Sequence, residues 1–387
     1  MAAKAGPAAG AQLRVLHLHS TFSPGGKERR AVALMNAWGK RLRHAVVSAE
    51  PGATGAKALI AKDVPVGFPF GFPPLAGKPA IARFKALARA MKDFDLVLTY
   101  NWGALDAVMA HALFARSLGL PPLVHHEDGF NEDEVERRSR KRNWYRTVAL
   151  ARASALVVPS EQLEAIALTE WRQPPGKVVR IANGIRTADF ARKPDPRVLP
   201  RLVKRADEIW VGTSAGLRPV KALPRLVRAV ATLDDACQLV ILGEGPEREA
   251  ILAEARAQGI EHRVHLPGFV AEPAKAIGLF DVFALSSDSE QFPLSVVEAM
   301  AAGLPVASPA VGDVARIVAE ANAPYIVPSG DEAALAAALF ELTGSPALRA
   351  RIGEANRARA VAEFDEATMI ARYAELYARV LGLERFP

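Results

Sequence analysis

The sequence predicts an α/β protein built as two doubly wound, Rossmann-like domains facing a central cleft. Three observations predict it. The chain's 387 residues exceed what one hydrophobic core usually organises. Two series of short β-branched or Leu-rich runs alternate with longer amphipathic stretches, the pattern of parallel sheets with helical crossovers. Between the series, NGIRTADFARKPDPRVLPRL (183–202) is rich in Pro and charge and lacks periodicity, as a linker does.

The elements follow in order. Residues 1–11 are small and weakly apolar and read as a disordered leader. The first domain, 12–186, opens with the strand LRVLHLH (13–19), the Gly-rich turn SPGGKE and the helix RRAVALMNAWGKRL. HAVVSA, DLVLTY, PPLVHH and ALVVPS supply further strands, and VVRIAN closes the domain. The second domain, 187–364, runs through EIWVGTSAG, QLVILGEG, VHLPGF, VFALSS, LPVAS and YIVPS. Residues 365–387 hold a final amphipathic helix, with Asp365 as its N-cap, expected to pack on the first domain.

Charge is uneven along this frame. Residues 1–186 carry 27 Lys/Arg against 15 Asp/Glu, and the remainder 22 against 27, within a net charge of +7. A basic first half suits an anionic partner, either a membrane surface or a phosphorylated substrate, and equally suits a basic solvated face. No stretch approaches the ~18 uninterrupted apolar residues of a membrane span. The single cysteine, Cys237 in CQLVIL, excludes an intramolecular disulfide and fits a reducing cytoplasm. The expected location is the cytoplasm, either free in it or peripheral on the inner face of the cytoplasmic membrane.

Several short stretches carry chemistry. In SPGGKE, Gly25 and Gly26 let backbone N–H groups approach an anion at a helix N-terminus, although any tight strand-to-helix turn uses glycine. GEGPER (243–248) lacks the third small residue and the distant acid of a dinucleotide fingerprint. SAGLRPVKAL (214–223) places Arg218 and Lys221 after a strand, where two cations hold a diphosphate or decorate a solvated loop. PLVHHEDGF (122–130) brings His125, His126, Glu127 and Asp128 to a strand end. Alternation turns one ring toward the cleft and the other away, which favours a polar substrate contact over a metal site. DFD (93–95) precedes its strand and reads as turn chemistry. ERRSRKRNWYR (136–146) mixes Arg137, Arg138, Arg140, Lys141, Arg142 and Arg146 with Trp144 and Tyr145. That composition suits an anionic lipid surface, or a basic helix face with its aromatic residues tucked inward. Single-stranded RNA would also suit the charge and rings, but no RNA-binding signature accompanies them.

SSDSEQFPLSVVEAM (286–300) holds Glu290 and Glu298. Pro293 disfavours helix at Phe292 and suits a first turn, so a helix starts near Pro293 or Leu294. Glu290 then lies in the loop and Glu298 in the second turn. The helix dipole favours an anion in front of it, flanked by carboxylates that accept hydrogen bonds from sugar hydroxyls.

These residues resemble the retaining nucleotide-sugar glycosyltransferases of family 4, which have the GT-B fold. SEQFPLSVVEAMAAGLPVASPAVGDV (289–314) is similar to the family's two-glutamate motif and the helix and turn after it. SPGGKE, VVPS, the turn Asn183–Ile185, LGEGPER with Gly243, and LPGF (266–269) support the match. The resemblance implies that Glu298 binds the ribose and that Glu290 contacts the donor sugar near its reacting face. Backbone around Gln291, Phe292, Pro293 and Leu294 would meet sugar and diphosphate. Arg218 and Lys221 would neutralise the phosphates, Gly26 would approach them from the other lobe, and Gly268 and Phe269 would lie near the base. His125 would bond the transferred sugar, with Asp128 and Glu127 on the acceptor side. No metal or other cofactor is implied, only a nucleoside diphosphate sugar, UDP- or GDP-linked, as co-substrate. The acceptor would be lipid-linked or a saccharide, in envelope, exopolysaccharide or glycolipid assembly.

The sequence departs from the family in two places. Gln291 stands where Gly usually follows the first motif glutamate, and Arg218 lies only three positions before Lys221. Two other classes fit parts of the pattern: a GT-B sugar-nucleotide epimerase, and a non-catalytic membrane- or nucleic-acid-binding protein.

Overall fold

The computed structural model describes residues 12–130, 134, 138–199 and 202–387. It divides into two compact units. One holds the described residues up to Ala182 together with Met369–Pro387, and the other spans Asn183–Thr368. The divisions thus fall four residues from the expected 186/187 and 364/365 junctions. Asn183–Ile185 joins the second unit because Ile185 pairs with the segment before the final helix, its N–H bonding Phe364 O at 3.0 Å.

In unit 1 the strands are β1 (Leu13–His19), β2 (Leu42–Ser48), β3 (Val66–Gly67), β4 (Leu96–Tyr100), β5 (Leu123–His126), β6 (Ala155–Val158) and β7 (Val178–Arg180). They form a parallel sheet in the order β3-β2-β1-β4-β5-β6-β7. Its helices are α1 (Gly26–Trp38), α2 (Ile81–Met91), α3 (Leu105–Leu118), α4 (Arg140–Ala149) and α5 (Glu161–Thr169). Both sheet faces are covered, which is why the strands read as near-continuous apolar runs. On one face Leu16, Leu18, Val97 and Leu123 meet α2, α3 and α5. On the other, Val15, Leu42, Val46 and Leu98 pack against α1 and the chain's final helix, through Met369, Tyr373, Leu376 and Tyr377. Only β3, two residues long, carries no apolar run and is not legible beforehand.

Unit 2 contains α6 (Thr187–Phe190) and then β8 (Ile209–Ser214), α7 (Leu223–Ala231), β9 (Cys237–Leu242), α8 (Arg248–Ala257), β10 (Val264–Gly268) and β11 (Val282–Ala284). After these come α9 (Leu294–Ala301), β12 (Val306–Pro309), α10 (Val314–Ile317), β13 (Ile326–Val327), α11 (Glu332–Gly344) and α12 (Pro346–Glu363). The parallel sheet runs β10-β9-β8-β11-β12-β13. All six strand expectations of the second series correspond to a strand. The final helix, α13, spans Glu366–Leu381. Asp365 in front of it accepts the Ala367 N–H at 2.9 Å and the Thr187 hydroxyl at 2.5 Å. Cys237 is buried as expected, and no described helix is long and apolar enough to cross a membrane.

Candidate functional site

In unit 2 the ends of β8 and β11 feed two loops that are knitted together. Ser286 Oγ donates to Lys221 O at 2.8 Å, and the Asp288 N–H donates to Val220 O at 2.9 Å. Arg225 ties the same loop through Ser286 O at 3.0 Å and Asp288 Oδ1 at 2.8 Å. This bracing brings the Lys221 ammonium to Glu290 Oε1 at 2.5 Å, an oxygen that also accepts from Ser287 Oγ at 2.7 Å. Both side chains of the pair are largely withdrawn from solvent. Arg218, by contrast, is exposed on the preceding turn.

Helix α9 starts at Leu294, with buried Pro293 at its N-cap and no side chain capping it. Val296 N–H turns back on Pro293 O at 3.1 Å, and the N–H groups before it face whatever lies in front of the helix. Glu298 sits in the second turn, half-buried. The loop is pressed from behind by Gly312. Its φ is +54°, and a Cβ there would lie 2.6 Å from Glu290 O and 2.7 Å from Gln291 O, so this position admits only glycine without a shift. Asp313 N–H also bonds Gln291 O at 3.1 Å. The Gln291 side chain is partly buried, and its Oε1 has no hydrogen-bond partner among the described residues. Phe292 packs edge-on to Phe364 with centroids 5.7 Å apart.

The turns after β8, β9 and β10 also touch. Leu217 N–H bonds Glu244 O, and Gly243 N–H bonds Gly268 O, each at 2.9 Å. Gly243, with φ +141°, lets its chain pass so close to Ala215 O that a Cβ would sit 1.9 Å away. Phe269 is solvent-exposed.

Unit 1 departs further from expectation. Both His125 and His126 are buried, so neither ring is presented to solvent as alternation alone suggested. The reason is that each sheet face is covered: His126 Nε2 lies 3.0 Å from the Tyr377 hydroxyl of α13, and His125 Nδ1 lies 2.8 Å from Thr99 Oγ1. Burial, helped by the Arg30 charge, holds the His126 imidazole well below its ordinary titration range. Glu127 is buried too, 3.6 Å from both His125 Nε2 and Arg146 Nε, and is not an exposed acceptor contact.

Asp128 is engaged by Arg30 through both carboxylate oxygens, one contact measuring 2.8 Å. Burial disfavours the Arg30 cation, but Asp128 outweighs it and raises its pKa. The Asp128 N–H donates to Asn101 Oδ1 at 2.9 Å, and Asn101 itself has a positive φ of 56°. At the α1 start, a Cβ on Gly25 would meet Glu28 Oε2 at 2.8 Å. A buried carboxylate of the chain itself therefore lies against the Gly25–Gly26 turn assigned to phosphate.

The basic segment divides between the two readings. Trp144, Arg140 and Lys141 are exposed and line, with Tyr145, an open depression of about 480 Å³. Tyr145 turns inward, its hydroxyl donating to Asp106 Oδ1 at 2.6 Å, and Arg142 lies over Trp102 and against Glu134. Arg138 pairs with Glu170, and Arg146 is fully buried. Arg137 lies outside the described residues. Among the described residues no cluster of metal-ligating side chains occurs, including around DFD.

Sequence reasoning missed Ser287, Arg225, Arg30 and Asn101. Arg30 and Asp128 are 98 positions apart and carry no local signal. Asn101 offered one, since asparagine tolerates positive φ after a strand.

Comparison with known proteins identifies the family. Residues 24–189 match the family model Glycosyltransferase Family 4, and residues 197–359 match Glycosyl transferases group 1. The chain is 32% identical over 211 residues to a phosphatidyl-myo-inositol mannosyltransferase of Mycobacterium leprae, covering 52% of this chain and 54% of the relative. It is 27% identical to an N-acetyl-alpha-D-glucosaminyl L-malate synthase of Bacillus anthracis, covering 46% and 47%. The chain thus spans about half the length of these two relatives. It matches the lipopolysaccharide core biosynthesis glycosyltransferase LpsD of Rhizobium meliloti at 23% identity over 95% of this chain and 98% of that one. HepE of Anabaena, solved with UDP, superposes with a TM-score of 0.80 at 22% identity over 95% of this chain and all of its own. The lipopolysaccharide glycosyltransferase WaaG superposes at 0.70 and 16%, over 94% and 99%. Two family models together spanning most of the chain, on two parallel α/β sheets, make it a member of the family 4 glycosyltransferases with the GT-B fold.

Proposed function

We propose that the protein transfers a sugar, with retention of configuration, from a UDP- or GDP-linked donor to a lipid-linked or saccharide acceptor in envelope or polysaccharide assembly. The observation that carries this reading is the Lys221–Glu290–Ser287 set beside the uncapped start of α9. It stands past the C-terminal ends of β8 and β11, where open α/β sheets bind ligands. A cation and a helix N-terminus there stabilise a departing diphosphate without a metal, and Glu290, its charge balanced by Lys221, faces the donor sugar. Glu298 accepts from the ribose hydroxyls. His125 acts on the transferred sugar, and Asp128, held by Arg30, orders the acceptor side. Relatives named for lipopolysaccharide and phosphatidylinositol substrates, and a neighbour solved with UDP, support the donor and acceptor classes.

The test is a panel of nucleotide sugars screened by thermal shift, since a ligand that binds the folded state raises its melting temperature. The stabilising donor is then incubated with chelator and acceptor, and the product anomer is determined. Stabilisation by no UDP- or GDP-sugar, an inverted product, or transfer abolished by chelation would each contradict the corresponding part.

The exposed Trp144 with Arg140 and Lys141 favours a peripheral anionic membrane surface over nucleic acid. Vesicles containing phosphatidylglycerol should retain the protein at low salt, and Trp144→Ala should release it with its melting temperature unchanged. Equal retention of the variant would remove α4 from the contact.

A further inference from the structure

The end of β5 contains a group of buried polar atoms that no described residue satisfies. Strand alternation puts His125 and Glu127 on one face, and the Glu127 N–H extends the ladder by bonding Val157 O at 3.0 Å. His125 Nε2, both Glu127 carboxylate oxygens and Arg146 Nε are buried, and none has a hydrogen bond among the described residues. They nonetheless converge. Glu127 Oε2 is 3.6 Å from His125 Nε2 and 3.6 Å from Arg146 Nε. Buried polar groups are almost always paired, so such a convergence requires an explanation.

The Arg146 guanidinium is fixed from all sides. It lies 4.9 Å from the Trp102 ring, 5.4 Å from Phe130 and 5.2 Å from Trp171, and it donates to Glu134 at 3.1 and 3.2 Å. Held this way, it places a permanent positive charge 3.6 Å from Glu127 Oε2, and the carboxylate faces it as a hydrogen-bond acceptor. An ionised carboxylate only accepts hydrogen bonds. The partner on the other side of the ring is different: the Thr99 hydroxyl lies 2.8 Å from Nδ1 and 3.5 Å from Val124 O, so it either donates to Nδ1 or accepts from it while donating to the carbonyl, and imposes no tautomer.

We propose that Glu127, clamped by Arg146, is a positioning residue that fixes the proton of His125 on Nε2. The imidazole then presents an N–H on the edge facing the carboxylate, while Thr99 donates to Nδ1. Gaps of 3.6 Å are longer than hydrogen bonds, and contacts of this kind tighten when a substrate is bound. Where this rests on the proposed sugar transfer, the Nε2–H is the donor offered to a hydroxyl of the transferred sugar, and Glu127 governs turnover through His125.

The test reads the tautomer directly and needs no donor or acceptor. The full chain is labelled with ¹⁵N at histidine, and the His125 signals are assigned by their loss in His125→Gln. The wild-type Nε2 is expected to be protonated. In Glu127→Gln, whose amide both donates and accepts, the ratio of Nε2–H to Nδ1–H should fall by about tenfold or more, the weight of one charge-assisted contact. An unprotonated Nε2 in the wild type, or an unchanged ratio in Glu127→Gln, overturns the proposal. Should Glu127→Gln fail to fold, Thr99→Val decides: an unchanged ratio assigns the tautomer to Glu127, and a collapse assigns it to Thr99. Absence of sugar transfer with the expected spectra would defeat the functional reading and leave this one standing.

Discussion

Acidification should unfold unit 1 from the face shared by β1 and α13. His17, His19, His44 and His126 are all buried there. His17 Nε2 is 3.0 Å from His44 Nδ1, and His19 stacks on Tyr100 with centroids 4.0 Å apart. Burial is the first cause that depresses each imidazole, followed for His17 by its histidine neighbours and for His19 by Lys27 and Arg30. His44 is brought from 6.5 down to about 4 by burial, and the other three lie well below their ordinary value. The unfolded chain therefore binds protons that the folded one refuses. Stability is fully present above about pH 6.5 and is lost as pH falls toward the folded values. For His44 alone the loss at about pH 5 is about 2 kcal/mol, and the other three act in the same direction. That is a large part of a typical domain's stability. Melting curves between about pH 7.5 and pH 5 should show a steep fall, and hydrogen exchange should place the early opening in β1 and α13. His19→Phe removes one proton acceptor whose two ring nitrogens have no hydrogen bond among the described residues, and should flatten the slope. A melting temperature independent of pH over that range, or an unaltered slope in His19→Phe, would refute the reasoning.

Three further outcomes follow from the geometry of unit 2 and the β5 end. Gly312→Ala combines positive φ with overlap of the Glu290 and Gln291 carbonyls, so it should cost about 1–3 kcal/mol by thermal melting and weaken donor binding in calorimetry. Lys221→Met leaves Glu290 unneutralised and should lower UDP or GDP affinity by about tenfold to a hundredfold, with the free nucleoside unaffected. Glu298→Ala should mainly weaken nucleotide binding, and His125→Ala should lower turnover more than donor affinity, as steady-state kinetics and titration would separate. Equal effects of both substitutions on rate and affinity would contradict the roles.

Much of the fold was legible because parallel strands covered on both faces write themselves as apolar runs; LRVLHLH and ALVVPS needed nothing else. The start of α9 was legible for a similarly local reason, since Pro293 constrains its own φ and its neighbour. What escaped was long-range. Whether Asp128 faces solvent depends on Arg30, 98 residues earlier, and whether Arg146 touches lipid depends on Trp102, Phe130, Trp171 and Glu134 around it. The same cationic string therefore yields an exposed Lys141 and a buried Arg146 five residues on, a difference that composition does not encode. His125 shows the limit of alternation, which assigns a face but not what covers it.

The helix α13 has a consequence for biosynthesis. Its Met369, Tyr373, Leu376 and Tyr377 complete the core that β1 and β2 begin. As the chain leaves the ribosome, the first unit waits with one sheet face covered by α1 alone until the whole of the second has been translated. Its His126 ring stays without its Tyr373 and Tyr377 neighbours throughout. The order of completion thus reverses the order of synthesis, and a released chain truncated before residue 366 should present unit 1 to protease and to chaperones while unit 2 is already closed.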